Sequence, residues 1–107
     1  MGTEAPRLTH QSLKVLKLFS DNPQRRWVGI DIMRGLRMAS GTLYPILLRF
    51  ETHGLLTSEW EAETPEELGR PRRRLYTITL EGRARAHNAL AELQSGFALS
   101  PELGEAR

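Results

Sequence analysis

The stretch Ser40-Gly41-Thr42-Leu43-Tyr44-Pro45-Ile46-Leu47-Leu48-Arg49-Phe50-Glu51-Thr52-His53-Gly54 decides how this chain is read. At 100° per residue, Leu43, Ile46, Leu47 and Phe50 fall on one side, as in a helix packed on a core. Gly41, Pro45, Leu48 and Thr52 fall on the opposite side. Thr42 and Arg49 flank that side on one edge, Tyr44 and Glu51 on the other. Gly54 supplies the stop, as a residue free to turn left-handed just past the last turn. The start has two candidates. If Thr42 is the cap, Pro45 loses no helical hydrogen bond; if Ser40 is, one is lost.

Upstream, Thr9 is placed to cap a helix carrying Leu13, Leu16 and Phe19, which Asn22-Pro23 ends. Arg25-Arg26-Trp27 is a connector, and Val28 to Leu36 fits a short second helix. Downstream of Gly54 the period changes to two. Leu56, Ser58 and Trp60 alternate with Thr57, Glu59 and Glu61, and Arg74 to Ile78 forms a second strand rich in β-branched and aromatic residues. The polar stretch between them, with Pro65, Gly69 and Pro71, is the long tip of an antiparallel hairpin. Thr79 caps a last helix, where Ala86, Leu90, Leu93 and Phe97 form a seam spaced 4-3-4, suited to packing against another helix.

The fold class is therefore mainly α with a β-hairpin (α+β): three helices, a hairpin and a closing helix, the order of a winged helix-turn-helix with a C-terminal helix. Residues 9–79 are expected to form the winged-helix domain and 80–97 the C-terminal helix, with flexible tails at 1–8 and 98–107. Trp27 and Trp60 are expected to serve as core or hinge packing.

At 107 residues the chain has room for one compact domain. It has no cysteine, hence neither a disulfide framework nor a thiolate metal site, and no metal or other cofactor is expected. No apolar run approaches the roughly 20 residues that span a bilayer, and no signal peptide is recognisable, so a cytoplasmic protein without membrane contact is expected. An enzyme is not expected either. His10, His53 and His87 are far apart, no glycine-rich nucleotide loop occurs, and the carboxylates cluster on the hairpin tip, where nothing would shift their pKa.

Net charge is only +2, but its distribution is uneven. Residues 59–67 hold five glutamates and no base, whereas 70–74 hold four arginines and no acid. A cationic hairpin tip beside an amphipathic helix points to duplex DNA as the partner. The helix would enter the major groove with Ser40 and Thr42 at its start, while Tyr44 and Arg49 reach phosphates or a base edge. Arg70, Arg72, Arg73 and Arg74 would sit at the neighbouring minor groove. Leu48 either meets a thymine methyl or packs on the first helix or a partner chain. The glutamates of 59–67 are read as a screen of the arginine tip in the free protein, so that replacing Glu63, Glu66 and Glu67 by glutamine should raise non-specific affinity. The rival reading is a winged-helix adaptor for protein partners, which would show no sequence preference among duplexes.

These residues resemble the PadR-like transcriptional regulators. The resemblance rests on Ser40 to Pro45, Leu47, Arg49, Glu51, Gly54-Leu55, Ser58 to Glu61, Gly69 to Arg74, Tyr76, Thr79 and Gly82, and covers about residues 12 to 93. It implies a homodimeric winged helix that binds an inverted-repeat operator, usually as a repressor. Residues 9–79 would then be the DNA-binding domain, whose recognition helix supplies Thr42 and Tyr44 and whose wing supplies Arg70 and Arg72, and 80–97 would be the C-terminal dimerisation helix, with Ala86, Leu90, Leu93 and Phe97 at the dimer contact. Where the family often has His-Gly-Tyr-Glu-Ile, this chain has Val28-Gly29-Ile30-Asp31-Ile32, so no contact through that histidine or aromatic is carried over. Some members release DNA on binding a small aromatic effector. With only Phe97 as an aromatic in the last helix, no effector site is carried over, and the effector stays unknown.

Overall fold

A computed structural model describes residues 8–99, with side chains through Ser95. The elements are α1 (His10–Asp21), α2 (Gly29–Leu36), α3 (Ser40–Thr52), β1 (Leu56–Trp60), α4 (Pro65–Leu68), β2 (Arg74–Ile78) and α5 (Leu80–Leu99). This is the expected winged helix, with a further short helix in the hairpin tip.

Thr9 caps α1 reciprocally. Its hydroxyl accepts from the Ser12 amide at 3.1 Å, and the Ser12 hydroxyl accepts from the Thr9 amide at 2.7 Å. That exchange satisfies Ser12, which is buried among apolar neighbours. Val15, Leu16 and Phe19 of α1, Ile32 of α2, and Leu43, Ile46, Leu47 and Phe50 of α3 form one core with Leu55, Leu56 and Ile78 from the base of the hairpin. Leu8, expected in a flexible tail, packs against this core instead. Residues 1–7 and 100–107 lie outside the described residues, and α5 continues through 98 and 99.

Neither Ser40 nor Thr42 caps α3. Ala39 does so, with no side-chain hydrogen bond, and its carbonyl accepts from the Thr42 and Leu43 amides. Pro45 therefore sits inside the helix and leaves the Gly41 carbonyl without its usual donor. The other end is as expected. Gly54 has φ +76°, its amide bonds Glu51, and the Leu55 amide bonds Phe50, the paired bonds of a Schellman motif.

β1 and β2 pair antiparallel with Leu56 opposite Ile78, Ser58 opposite Tyr76 and Trp60 opposite Arg74. The connector before α2 joins this sheet, because Trp27 and Tyr76 exchange both backbone hydrogen bonds at 2.8 Å. Trp27 is core, packed 6.2 Å from the Phe19 ring and covered by the Arg25 guanidinium at 3.5 Å. Trp60 is not: it is 58% exposed at the end of β1, where the core has run out.

α5 starts as expected. The Thr79 hydroxyl accepts from the Gly82 amide at 2.9 Å and donates to the Gly54 carbonyl at 2.7 Å. The first turns of α5 pack on α1 and β2. This corrects the reading of the seam. Ala86 is fully buried in the core of its own chain, so it has no surface to offer a second copy. Leu90 is half-buried, Leu93 is 40% exposed, and Phe97 falls outside the described side chains.

Candidate nucleic-acid interface

α3 presents an outer face made by the alternation of its sequence. Its four core residues turn inward, while Ser40, Gly41, Thr42, Tyr44, Pro45, Leu48 and Arg49 remain exposed. Leu48 is 67% exposed and does not pack on α1. Tyr44 leans back from this face onto the first turn of α2. Its hydroxyl lies so close over Gly29 that any Cβ there would overlap it and come within 2.8 Å of the ring Cζ. Glycine at 29 is what lets the phenol lie there.

A cleft of about 320 Å³ opens beside Tyr44, between the start of α2 and the arginine side of the hairpin. Tyr44 and Tyr76 line it with Arg72, Arg73 and Arg74. Burial pushes the Tyr76 phenol above its ordinary pKa, helped by the charge of Glu51, so it stays a neutral hydroxyl near pH 7. The α2 end of the cleft is capped by Val28, which has no side-chain hydrogen bond to give the first amides. Cationic side chains, a phenol and uncapped helix amides on one cleft can hold an anionic oxygen.

The four arginines divide into two kinds. Arg70 is committed internally: its two terminal nitrogens donate to the two carboxylate oxygens of Glu61 at 2.7 and 3.0 Å. Glu61 also accepts the Arg73 amide at 2.8 Å. The Arg70 hydrogen bonds, then the Arg73 amide, lower the Glu61 carboxyl from its usual 4.5 to about 2. So one carboxylate on the tip is strongly shifted, contrary to expectation. Arg74 is also held. It donates to the Ser58 hydroxyl at 2.9 Å, lies 3.8 Å from Glu51, and covers Trp60 at 4.8 Å from the ring centroid. The Ser58 hydroxyl in turn donates to Glu51.

Arg72 and Arg73 differ. Both are exposed, and among the described residues neither they nor Arg49 form an ion pair. Arg72 is aimed by one neutral bond, its Nε donating to the Glu63 backbone carbonyl at 2.8 Å. The carboxylates that pair with arginines of this run are Glu61 and Glu51, while Glu63 acts on Arg70 through its charge without an ion pair. Glu67 is occupied in a second reciprocal cap: its carboxylate accepts the Thr64 amide at 2.8 Å, and its own amide donates to the Thr64 hydroxyl at 3.1 Å. That cap, with Pro65 in the first turn, makes α4 and stiffens the tip.

Two residues that the sequence reading left out belong to the site, Gly29 and Tyr76. Both come to it through pairings distant in sequence, Gly29 under Tyr44 and Tyr76 across from Trp27. Among the described residues no cluster of histidine, aspartate or glutamate could hold a metal, and no helix is long and apolar enough to cross a membrane.

Residues 30–88 match the transcriptional regulator PadR-like family. No match is found among curated proteins. Among solved structures, the chain is similar to a PadR-like transcription factor from Bacteroides fragilis, with 22% identity, a TM-score of 0.70, and 88% of this chain and 89% of that one covered. A PadR family transcriptional regulator from Eggerthella lenta is similar at 24% identity and TM-score 0.71, covering 91% and 86%. A transcriptional regulator homologue from Pyrococcus horikoshii follows at 19% and 0.67, covering 82% and 80%. At these identities the likeness is one of fold. The family match takes in α3 and the whole hairpin, just over half of the 107 residues, and the chain belongs to the PadR-like family of transcriptional regulators, a family of regulators and not of enzymes.

Proposed function

We propose that this protein represses transcription by binding an inverted-repeat operator as a homodimer. The observation that carries the reading is the single cleft shared by Tyr44 of the recognition helix and the two unpaired arginines of the wing. In this reading α3 enters the major groove with Ser40, Thr42 and Arg49 toward the DNA. Tyr44 donates to a phosphate, and Arg72 and Arg73 follow the backbone into the adjoining minor groove. Arg70 and Arg74 hold the wing in shape and contribute less to the contact than their charge suggests. The α5 seam pairs two copies through Leu90, Leu93 and Phe97, so half-sites fall about one helical turn apart.

The test is a mobility-shift titration on the DNA upstream of the chain's own coding sequence, at several salt concentrations. Arg72→Ala and Arg73→Ala are each expected to flatten the slope of log K against log salt by about 0.9. Arg70→Ala is expected to flatten it by clearly less. Thr42→Ala is expected to change the preference among sites. A protein that remains monomeric at micromolar concentration, or that does not distinguish this DNA from random duplex, refutes the proposal.

A further inference from the structure

Trp60 has no part in the contacts proposed so far, yet it is the more conspicuous of the two tryptophans. Trp27 is 5% exposed and Trp60 58%. A tryptophan left this open on a wing tip is an unusual use of the residue type. Nor is its position loose. Arg74 sits over the ring and is itself tied to Ser58 and Glu51. The backbone beyond is pinned by the Glu61–Arg70 pair and the α4 cap. Trp60 also borders a shallow, open hollow of about 740 Å³ with Pro65, Glu66, Arg70, Pro71 and Arg72. Arg72 also lines the cleft beside Tyr44, so hollow and cleft adjoin across one side chain.

We infer that Trp60 is a DNA contact of the wing, its indole laid on a deoxyribose of the strand whose phosphates Arg72 and Arg73 neutralise. This rests on the DNA-binding reading and adds an apolar contact to it. A nucleic-acid backbone alternates anionic phosphates with apolar sugar faces, and sugar contacts position a protein without reading sequence. The wing tip offers the matching alternation, guanidinium at 72 and 73 beside an indole that is held from behind. Indole also carries one N–H that a phosphate oxygen can accept. The surroundings favour this occupant over a peptide, because the unpaired Arg72 of the hollow and the unpaired Arg73 next to it outweigh the single carboxylate of Glu66, while Arg70 and Arg74 are balanced by Glu61 and Glu51.

The experiment uses the full chain, a mixed-sequence duplex of roughly 30 base pairs at low salt, and acrylamide quenching of tryptophan emission. In the free protein the quenchable emission should belong to Trp60 and vanish in Trp60→Phe, since Trp27 is buried. Duplex is expected to protect it. Trp60→Ala should weaken duplex binding about tenfold with the salt slope unchanged, because burying an indole on a sugar face is apolar and displaces no counterion. Trp60→Phe should stay within about threefold. If duplex binds while Trp60 remains as quenchable as before, or if Trp60→Ala binds as well as the parent, the inference fails and the DNA-binding reading stands. If Trp60→Ala flattens the salt slope by about 0.9 or more, Trp60 is a prop for the arginines and the inference fails. Protection of Trp60 by a peptide but not by duplex overturns it in favour of a protein partner. Absence of any duplex binding defeats the DNA-binding reading and this inference with it.

Discussion

Gly82→Ala is expected to destabilise this protein even though alanine is the better helix former. Gly82 lies in the first turn of α5, where it rides against the end of the Schellman turn. A Cβ at 82 would overlap the Leu55 carbonyl oxygen and stand 2.7 Å from Ile78 Cγ1 and 3.0 Å from the Leu55 carbonyl carbon. That oxygen cannot retreat, because it accepts from the Thr79 amide at 3.0 Å and the Thr79 hydroxyl at 3.1 Å. Helix propensity favours alanine by at most about 1 kcal/mol. Forcing a methyl into a packed site costs about 1–3 kcal/mol, and a backbone obstacle puts this case in the upper half. The net loss is about 1–2 kcal/mol, or roughly 5–15 °C in Tm for a domain of this size. Gly35 in α2 is the control: a Cβ there meets nothing within 4 Å, so Gly35→Ala should gain up to about 1 kcal/mol. Thermal melts of the two variants beside the parent read both signs. If Gly82→Ala melts at or above the parent, the packing argument for the base of the wing is wrong.

Two further predictions concern single contacts. The Glu61 carboxyl titrates at about 2 in the folded chain against 4.5 ordinarily. Its contribution to stability is therefore present above pH 4.5 and lost as the pH falls through about 2. Glu61→Gln should flatten the acid limb of stability over that window, and urea melts at stepped pH would show it; an unchanged acid limb would mean the Arg70 pair adds nothing. Thr79→Ala removes the acceptor for the Gly82 amide and the donor to Gly54, and should lower stability by about 0.5–2 kcal/mol. The urea midpoint should shift at constant m-value, and a shift of nil would show that water replaces both bonds without loss.

Local and periodic signals were the ones the sequence displayed. The inward face of α3, the Gly54 stop, the Thr9 and Thr79 caps and the two strands all rest on residues within a turn or two of each other. The start of α3 was not legible, since serine and threonine both suit a cap and neither takes the position, which an alanine carbonyl fills alone. α4 did leave a signal, because Thr64-Pro65-Glu66-Glu67 spells a capping box with proline in the first turn. The division of the arginines was hidden for a different reason. Only the hairpin geometry brings Glu61 to Arg70, and only α3 packing on β1 brings Glu51 to Arg74. The outward position of Trp60 likewise depends on where the core ends along the strand. The α5 seam misled at Ala86 because a 4-3-4 spacing does not say whether the facing helix belongs to the same chain, and there it is α1.

The exchange of backbone bonds between Trp27 and Tyr76 has a mechanical consequence. It ties the middle of the hairpin to the segment entering α2, while the Thr79 bonds clamp the hairpin's root to the end of α3. In the proposed binding mode, hairpin and α3 are thus the two jaws of a stiff caliper whose gap is preset before any target arrives. Little ordering entropy is then spent on closing it, and duplexes whose local shape departs from the gap must themselves deform to be gripped.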